Sequence, residues 1–598
     1  MTKPSVGAKK SSQRRYWWSR NWFYTAIIVI AVIGAFCAFY LPLHISEQFS
    51  AGDNVASLRQ AILVATGGTI AMLTLWETRR KNLQEKDKND LDHARQVKAE
   101  RRSRYAKAIE QLADDKSAVR LGGIYTLVKL ADEWLSDVKT MPSESDRTDE
   151  AQIIINSLCA YIRSPFSLAT KRAVFENSST SISSVKNSKI LMNKFFKSQQ
   201  VKEEDKISLR EEQEIRRTIF EEIEKRLIKV QGPRIREIGS TNIIGTLNKG
   251  LWYNLMYNFS NAPIFYPLND LQFKSPNFAG AKFYGSTNFS LSEFHGTPNF
   301  ENAEFMGESN FYGTAFHKAA KFAGAIFNES AIFESSTFRS SNEMTLEVSF
   351  ELIDKAKKIS TQRKYRILSA DFQGAKFNGK SDFRSTVFEG PVNFKNSSFG
   401  QKLKKSPGSF ADFTSANFKI AISFSGAHFY QDANFTSARF SGIADFTETI
   451  FDASSFFAGT IFLNTALFKK AIFSKYSPLF IASEYKGKYI YLASNTPSKY
   501  GRPIRAMFTS EPFKFEMNHL AKQKESVYLN HDFEVSESHH PIETEQVTVA
   551  DGRVFTIPVG CKLFDPDSWD EEKQEYTPIS DPAEPLDESD EVEEDKSE

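Results

Sequence analysis

Apolar positions change rhythm several times along this chain. Residues 22–43, WFYTAIIVIAVIGAFCAFYLPL, carry no charge. At about 1.5 Å rise per residue, such a run spans a hydrocarbon core of about 30 Å. Trp17, Trp18, Trp22, Phe23 and Tyr24 stand where an interfacial aromatic belt would stand. A shorter run at 60–76, QAILVATGGTIAMLTLW, includes Gly67 and Gly68. The pattern predicts two transmembrane helices, 22–43 and 60–76; a buried core helix is the rival for the second. A cleaved signal peptide would have an apolar stretch of only about 7–15 residues. Residues 77–115 are dense in charge, with sparse apolar points at Leu83, Leu91, Val97, Tyr105, Ile109 and Leu112, as in a long solvated helix. From Ser117, apolar residues recur at helical spacing through Leu135, with Asp115 or Ser117 placed to cap. With a second apolar helix at 152–163, this predicts a charged helix and small helical domain over 77–163. A Ser-, Asn- and Lys-rich linker follows at 164–204, then an amphipathic helix over 205–230.

The rhythm then changes to eleven. Phe278, Phe289, Phe300, Phe311 and Phe322 form one series; Phe283, Phe294, Phe305, Phe316 and Phe327 form another, five residues later. Phe333 and Phe338 extend the two. The ladder resumes at Phe372, Phe377, Phe383, Phe388, Phe394 and Phe399. It returns at Phe413, Phe418, Phe424, Phe429, Phe435, Phe440, Phe446 and Phe451, continuing to Phe473. On a helix, steps of five and six never return to one stripe. In a flat strand, a step of five changes face and a step of six does not. A chain that turns a corner after every unit satisfies both, with each Phe aimed at the axis. Two residues before the Phe the side chain is usually small, as at Ala281, Ala303, Ala325, Ala375, Ala416 and Ala438. That position shares the inward face, where only a small group fits beside a ring.

This pattern resembles the pentapeptide-repeat family, over about 270–480. The resemblance implies a right-handed quadrilateral β-helix with four units per coil, and a bacterial origin. Many members keep a strict step of five; alternate steps of six predict 22 residues per coil, two longer sides and roughly seven coils. The solenoid is placed at 234–480, with 234–270 as its first cap and an insertion at 339–371, read as a helix at about 350–368. A strand-like region at 481–569 follows, with a hairpin at Asp551-Gly552. From Asp570, fourteen acids against two Lys predict a disordered acidic tail, 570–598. The whole reads as an α+β multidomain chain.

Charge orients it. Lys3, Lys9, Lys10, Arg14, Arg15 and Arg20 fill the basic N-terminus, 1–21; Arg79, Arg80 and Lys81 follow the second run. The stretch between holds only Arg59 as a cation. Both termini are therefore expected on the cytoplasmic side of a plasma (bacterial inner) membrane. Lys plus Arg number 76 against 74 acids, which removes any bulk-charge argument for nucleic acid. Three Cys cannot build a disulfide framework. Gly122-Gly123 lacks phosphate-loop spacing and suits close helix packing. His519, His531, His539 and His540 are scattered and read as solvated loop residues, and Cys561 as a structural thiol. No catalytic, cofactor or metal residues are expected, and no enzyme.

The function expected is a membrane-anchored scaffold offering a rigid surface to a protein partner. Family members that imitate DNA and bind topoisomerases provide an alternative. Residues 270–480 carry 23 basic against 19 acidic side chains, opposite to what a phosphate mimic needs. An oligomeric membrane signalling or transport component is the third reading; Gly67-Gly68 would permit close contact in a homo-oligomer.

Overall fold

The computed structural model describes residues 9–45, 55–172, 203–231, 246–266, 268, 273–339, 369–401, 410–486, 488–492, 503–511, 514–516, 526–528, 530–535, 540–549, 552–571 and 575–580. The chain divides into two compact units, residues 1–103 with 138–142, and residues 104–137 with 143–598.

The first unit is built on a helical hairpin. Helix α1 (Lys9–Ile45) and helix α2 (Val55–Leu112) are both long and apolar enough to cross a membrane. Arg59 lies over Phe39, Gly34 meets Thr66, and Lys81 lies over Tyr24, so the helices run antiparallel in register. A Cβ on Gly34 would fall 2.3 Å from Thr66 Cγ2; glycine permits this approach. Gly67 and Gly68 have nothing within 4 Å among the described residues and are not part of it. The second apolar run does not end at Trp76 as a separate element, because α2 continues without a break through the charged stretch.

In the second unit, α3 (Ser117–Ser136) and α4 (Glu144–Arg163) pack antiparallel, with Arg120 near the start of one bonded to Tyr161 near the end of the other at 3.2 Å. Ile124, Leu127, Leu130, Ile154, Ile155 and Leu158 fill the interface. Neither expected residue caps α3: its N-cap is Lys116, whose N–H is held by Asp114 Oδ1 at 2.8 Å. Of the glycine pair only Gly123 packs closely; a Cβ there would lie 2.8 Å from the Ala108 carbonyl. The expected linker begins later than residue 164. Phe166 stacks on Phe265, and Arg172 packs under the corner at Gly285. Helix α5 (Glu203–Leu227) then lays Ile215, Ile219, Ile223 and Leu227 on the same core.

The coil follows. Two-residue strands stack in parallel on four faces, each strand pairing with the one a full turn later, as Phe283 with Phe305 and Phe294 with Phe316. We number the faces by their inward rings: first, Phe278; second, Phe283; third, Phe289; fourth, Phe294. The extra residue of each six-step unit does not lengthen two sides, since strands are two residues long on all four faces. It sits instead in two opposite corners. Every five-residue step closes a tight turn in which the N–H three residues after the Phe donates to the Phe carbonyl, as Ala281 to Phe278 at 2.9 Å. The residue two after the Phe is left-handed: Gly280 (φ 66), Asn302 (φ 55), Gly324 (φ 67), Asn396 (φ 56). This is a type II turn, which favours Gly and Asn there. The Asn or Asp before the Phe accepts from the N–H two residues on, as Asn299 from Glu301 at 2.9 Å, and so fixes the turn further.

The rod is longer at both ends than the regular spacing indicates. Residues 257–264, expected as a cap, already pair with the next coil, and Phe259 stacks on Phe278 at 5.1 Å. The helical domain is the true cap. Phe220 covers Phe259, Gln213 Nε2 donates to the Phe265 carbonyl, and Arg163 donates to that of Asn258. These bonds occupy an edge that would otherwise recruit another strand. Nor does the ladder stop at Phe473. Phe480, Phe508 and Phe533 continue three columns, stacked on Phe457, Phe462 and Phe468. They were hidden because strand insertions, among them Ile481–Tyr485 paired with Lys488–Leu492, separate them in sequence. Ten rungs from Phe259 to Phe533 make about 48 Å at ~4.8 Å per layer, against about 35 Å for seven coils counted the same way.

The hairpin at Gly552 is present, joining Thr544–Thr548 to Val554–Pro558. The first part of the expected disordered tail is a strand. Glu575–Pro578 pairs with Lys562–Asp570, and Tyr576 packs on Phe564 and Trp569. Residues 581–598, most of the 339–371 insertion with its expected helix, and most of the linker lie outside the described residues.

Candidate functional site

Within the coil, inward and outward positions are strictly divided. All the ladder rings named above from Phe278 to Phe451 are at most 2% exposed. Rings in one column stack nearly parallel, 4.9 Å and 2° for Phe383 on Phe413; neighbouring columns meet edge to face, 5.5 Å and 88° for Phe383 with Phe394. Small inward hydroxyls satisfy carbonyls of the previous coil, as Thr314 to Phe289 at 2.8 Å and Thr449 to Phe424 at 2.9 Å. The interior is therefore packed with rings, and many of its polar groups are paired, although the Ser292, Ser381 and Ser455 hydroxyls are buried without a partner among the described residues. On the four faces, the residues immediately before and after each Phe point outward, and with the corner residues they form the outer surface of the coil.

Each face carries its own chemistry. The first is an amide and carboxylate column in which Asn277 donates to Asn258 at 3.2 Å and Asn393 to Asp371 at 3.1 Å. The second brings His428 Nε2 to 2.7 Å from Asp452 Oδ2, with Ser474 Oγ donating to the other carboxylate oxygen. The carboxylate stands between the other two groups, so the serine gains no base. On the third face, Arg384 binds Asp382 with two nitrogens at 2.8 Å and reaches Glu334 at 2.9 Å. Burial alone would raise the Asp382 pKa, but Arg384 and Lys380 together hold it below the ordinary value.

The fourth face holds the one cluster of three metal-ligating side chains found among the described residues: Glu293, His295 and His317. Glu293 and His295 flank Phe294, and His317 follows Phe316 one coil on, its ring 4.7 Å from that of His295 and tilted 12°. Both Nε2 atoms lie 3.6 Å from Glu293 Oε2. Burial and the neighbouring His317 lower the His295 pKa. Sequence reading sought metal ligands only near the C-terminus and missed this set. The available signal was the spacing of 22 between the histidines, one full coil.

The C-terminal residues behave differently from expectation in one case. His531 is not solvated: it is buried, its Nδ1 accepts from the Ala466 N–H at 3.1 Å, and its Nε2 faces the Thr509 carbonyl at 3.1 Å. Its pKa is pushed down to about 4 by burial. His519 and His539 lie outside the described residues. Cys561 is buried, which raises its thiol pKa.

A family model described as pentapeptide repeats (9 copies) matches residues 278–326 and 413–461. Both segments lie inside the coil, and the chain carries a pentapeptide-repeat solenoid there. Neither the curated proteins nor the solved structures yielded a match.

Proposed function

We propose that this protein is a membrane-anchored scaffold whose right-handed pentapeptide-repeat rod offers its faces to a protein partner at the cytoplasmic surface. The carrying observation is the division of labour in the coil: an aromatic interior with no space for a ligand, and outward columns fixed side chain by side chain. Such a surface meets a partner with little loss of conformational entropy. The tether is supported by α1 and α2, whose apolar side chains, among them Val32, Phe36, Val64 and Met72, are more than half exposed. Exposed apolar surface on this scale needs a non-aqueous neighbour. Basic flanks at both outer ends favour the cytoplasmic orientation. The protein is read as acting by binding, without catalysis.

Proximity labelling from the C-terminal end of the full chain tests this reading. Specific enrichment of one cytoplasmic or membrane protein, lost when Arg384 and Lys380 are changed to Ala, is expected if the third face takes part. Labelling indistinguishable from that of an unrelated membrane-anchored control would overturn the scaffold.

A further inference from the structure

The geometry points to a divalent transition-metal site of the zinc type at Glu293, His295 and His317, linking two successive coils near the N-terminal end of the rod. Three observations carry it. The Nε2 atoms of both histidines are buried and have no hydrogen-bond partner among the described residues. Both lie 3.6 Å from the same carboxylate oxygen of Glu293, and the three donor atoms are within 4.8 Å of one another. Two donors bound to one tetrahedral ion at about 2.1 Å stand roughly 3.4 Å apart. A small tilt of either ring therefore suffices. Two imidazoles and one carboxylate match a borderline ion such as Zn2+, whereas Mg2+ prefers an all-oxygen octahedron.

The surroundings state what binding must overcome. Arg339 lies 3.1 Å from His317 Nδ1, and as a guanidinium it can only donate. Neutral His317 in this state therefore carries its hydrogen on Nε2. To coordinate, that hydrogen must move to Nδ1 and Arg339 must withdraw; Glu389, 4.0 Å from its Nε, remains as its partner. Lys249 adds a second positive charge close enough to lower the His295 pKa. Arg339 thus opposes the metal, and its removal should strengthen binding. A merely structural histidine pair gives no reason for that result.

The test uses the full chain in detergent micelles or nanodiscs, titrated with Zn2+ alone and with Mg2+ for comparison. One tightly held Zn2+ per chain is expected, with no uptake of Mg2+. His295→Gln and His317→Gln should each weaken binding at least about tenfold, and Arg339→Gln should strengthen it. Cobalt substituted for zinc should show visible absorption bands that vanish in the histidine variants. Glu293 is the most buried of the three, so its Gln variant is scored only if circular dichroism matches the parent. His317, whose side chain is 26% exposed, keeps the test decisive. Absence of Zn2+ uptake, or uptake unchanged in both histidine variants, would overturn the site. Neither result bears on whether the rod binds a protein partner.

Discussion

Phe383 meets other rings on several sides. It stacks on Phe333 and Phe413 at 4.9 Å each and meets Phe372 and Phe394 edge-on. Phe383→Ala should therefore destabilise the coil by about 3–5 kcal/mol, read as a lower denaturant midpoint. His531 makes a different prediction, one of pH. Its folded-state pKa of about 4 lies below the ordinary 6.5, so between those values the unfolded chain binds more protons. Stability should rise with pH across that window and fall on acidification, by on the order of 3 kcal/mol in the limit. Thermal unfolding of the full chain from pH 4 to 7 measures this, and His531→Gln should flatten the dependence. Sequence could place Phe383 because its neighbours repeat it. It could not place His531, whose burial depends on a chain excursion that brings it beside Ala466 and Thr509.

The coil's elements are its corners, and the two kinds use glycine for different reasons. At the five-residue corner, Gly374 has φ +65 and nothing within 4 Å, so only backbone conformation resists a side chain. Gly374→Ala should cost about 1 kcal/mol. At the six-residue corner, a Cβ on Gly379 would fall 2.5 Å from the Glu329 backbone carbon. Backbone cannot yield there, so Gly379→Ala should lower the melting temperature further than Gly374→Ala does. The reverse order would contradict the assignment of corner types. In the helical hairpin, Gly34→Leu should displace α1 from Thr66 and cost about 1–3 kcal/mol in thermal stability in nanodiscs. The step lengths were legible in sequence. That the sixth residue sits in a corner and does not lengthen a side was not, because that depends on packing between coils 22 residues apart.

At the scale of the whole molecule, the rod tolerates long excursions because its stacking is local. Phe338 stacks on Phe388 at 4.9 Å and Phe322 on Phe372 at 4.9 Å, on either side of residues 340–368. Deleting residues 341–368 would restore a step of six from Phe338 to Phe372. The shortened protein should fold with an unchanged β-rich circular dichroism spectrum and a melting temperature within a few degrees of the parent. Loss of a partner found by proximity labelling in this variant would assign that partner to the insertion; a retained partner belongs to the faces. Collapse of the fold would show that the excursion supports the coil.

Sequence alone determined the period, the inward rings, the small residues beside them and the two apolar helices. Each is written in local spacing, which a repeated backbone geometry must obey. Tertiary structure decided where the rod begins and ends, because the outer rungs come from residues without regular spacing. Phe259, Phe508 and Phe533 join their columns only after the chain has folded around them. It likewise decided which outward groups become neighbours. His295 and His317 are distant in sequence yet adjacent in space, since one turn of the coil returns the chain to the same face.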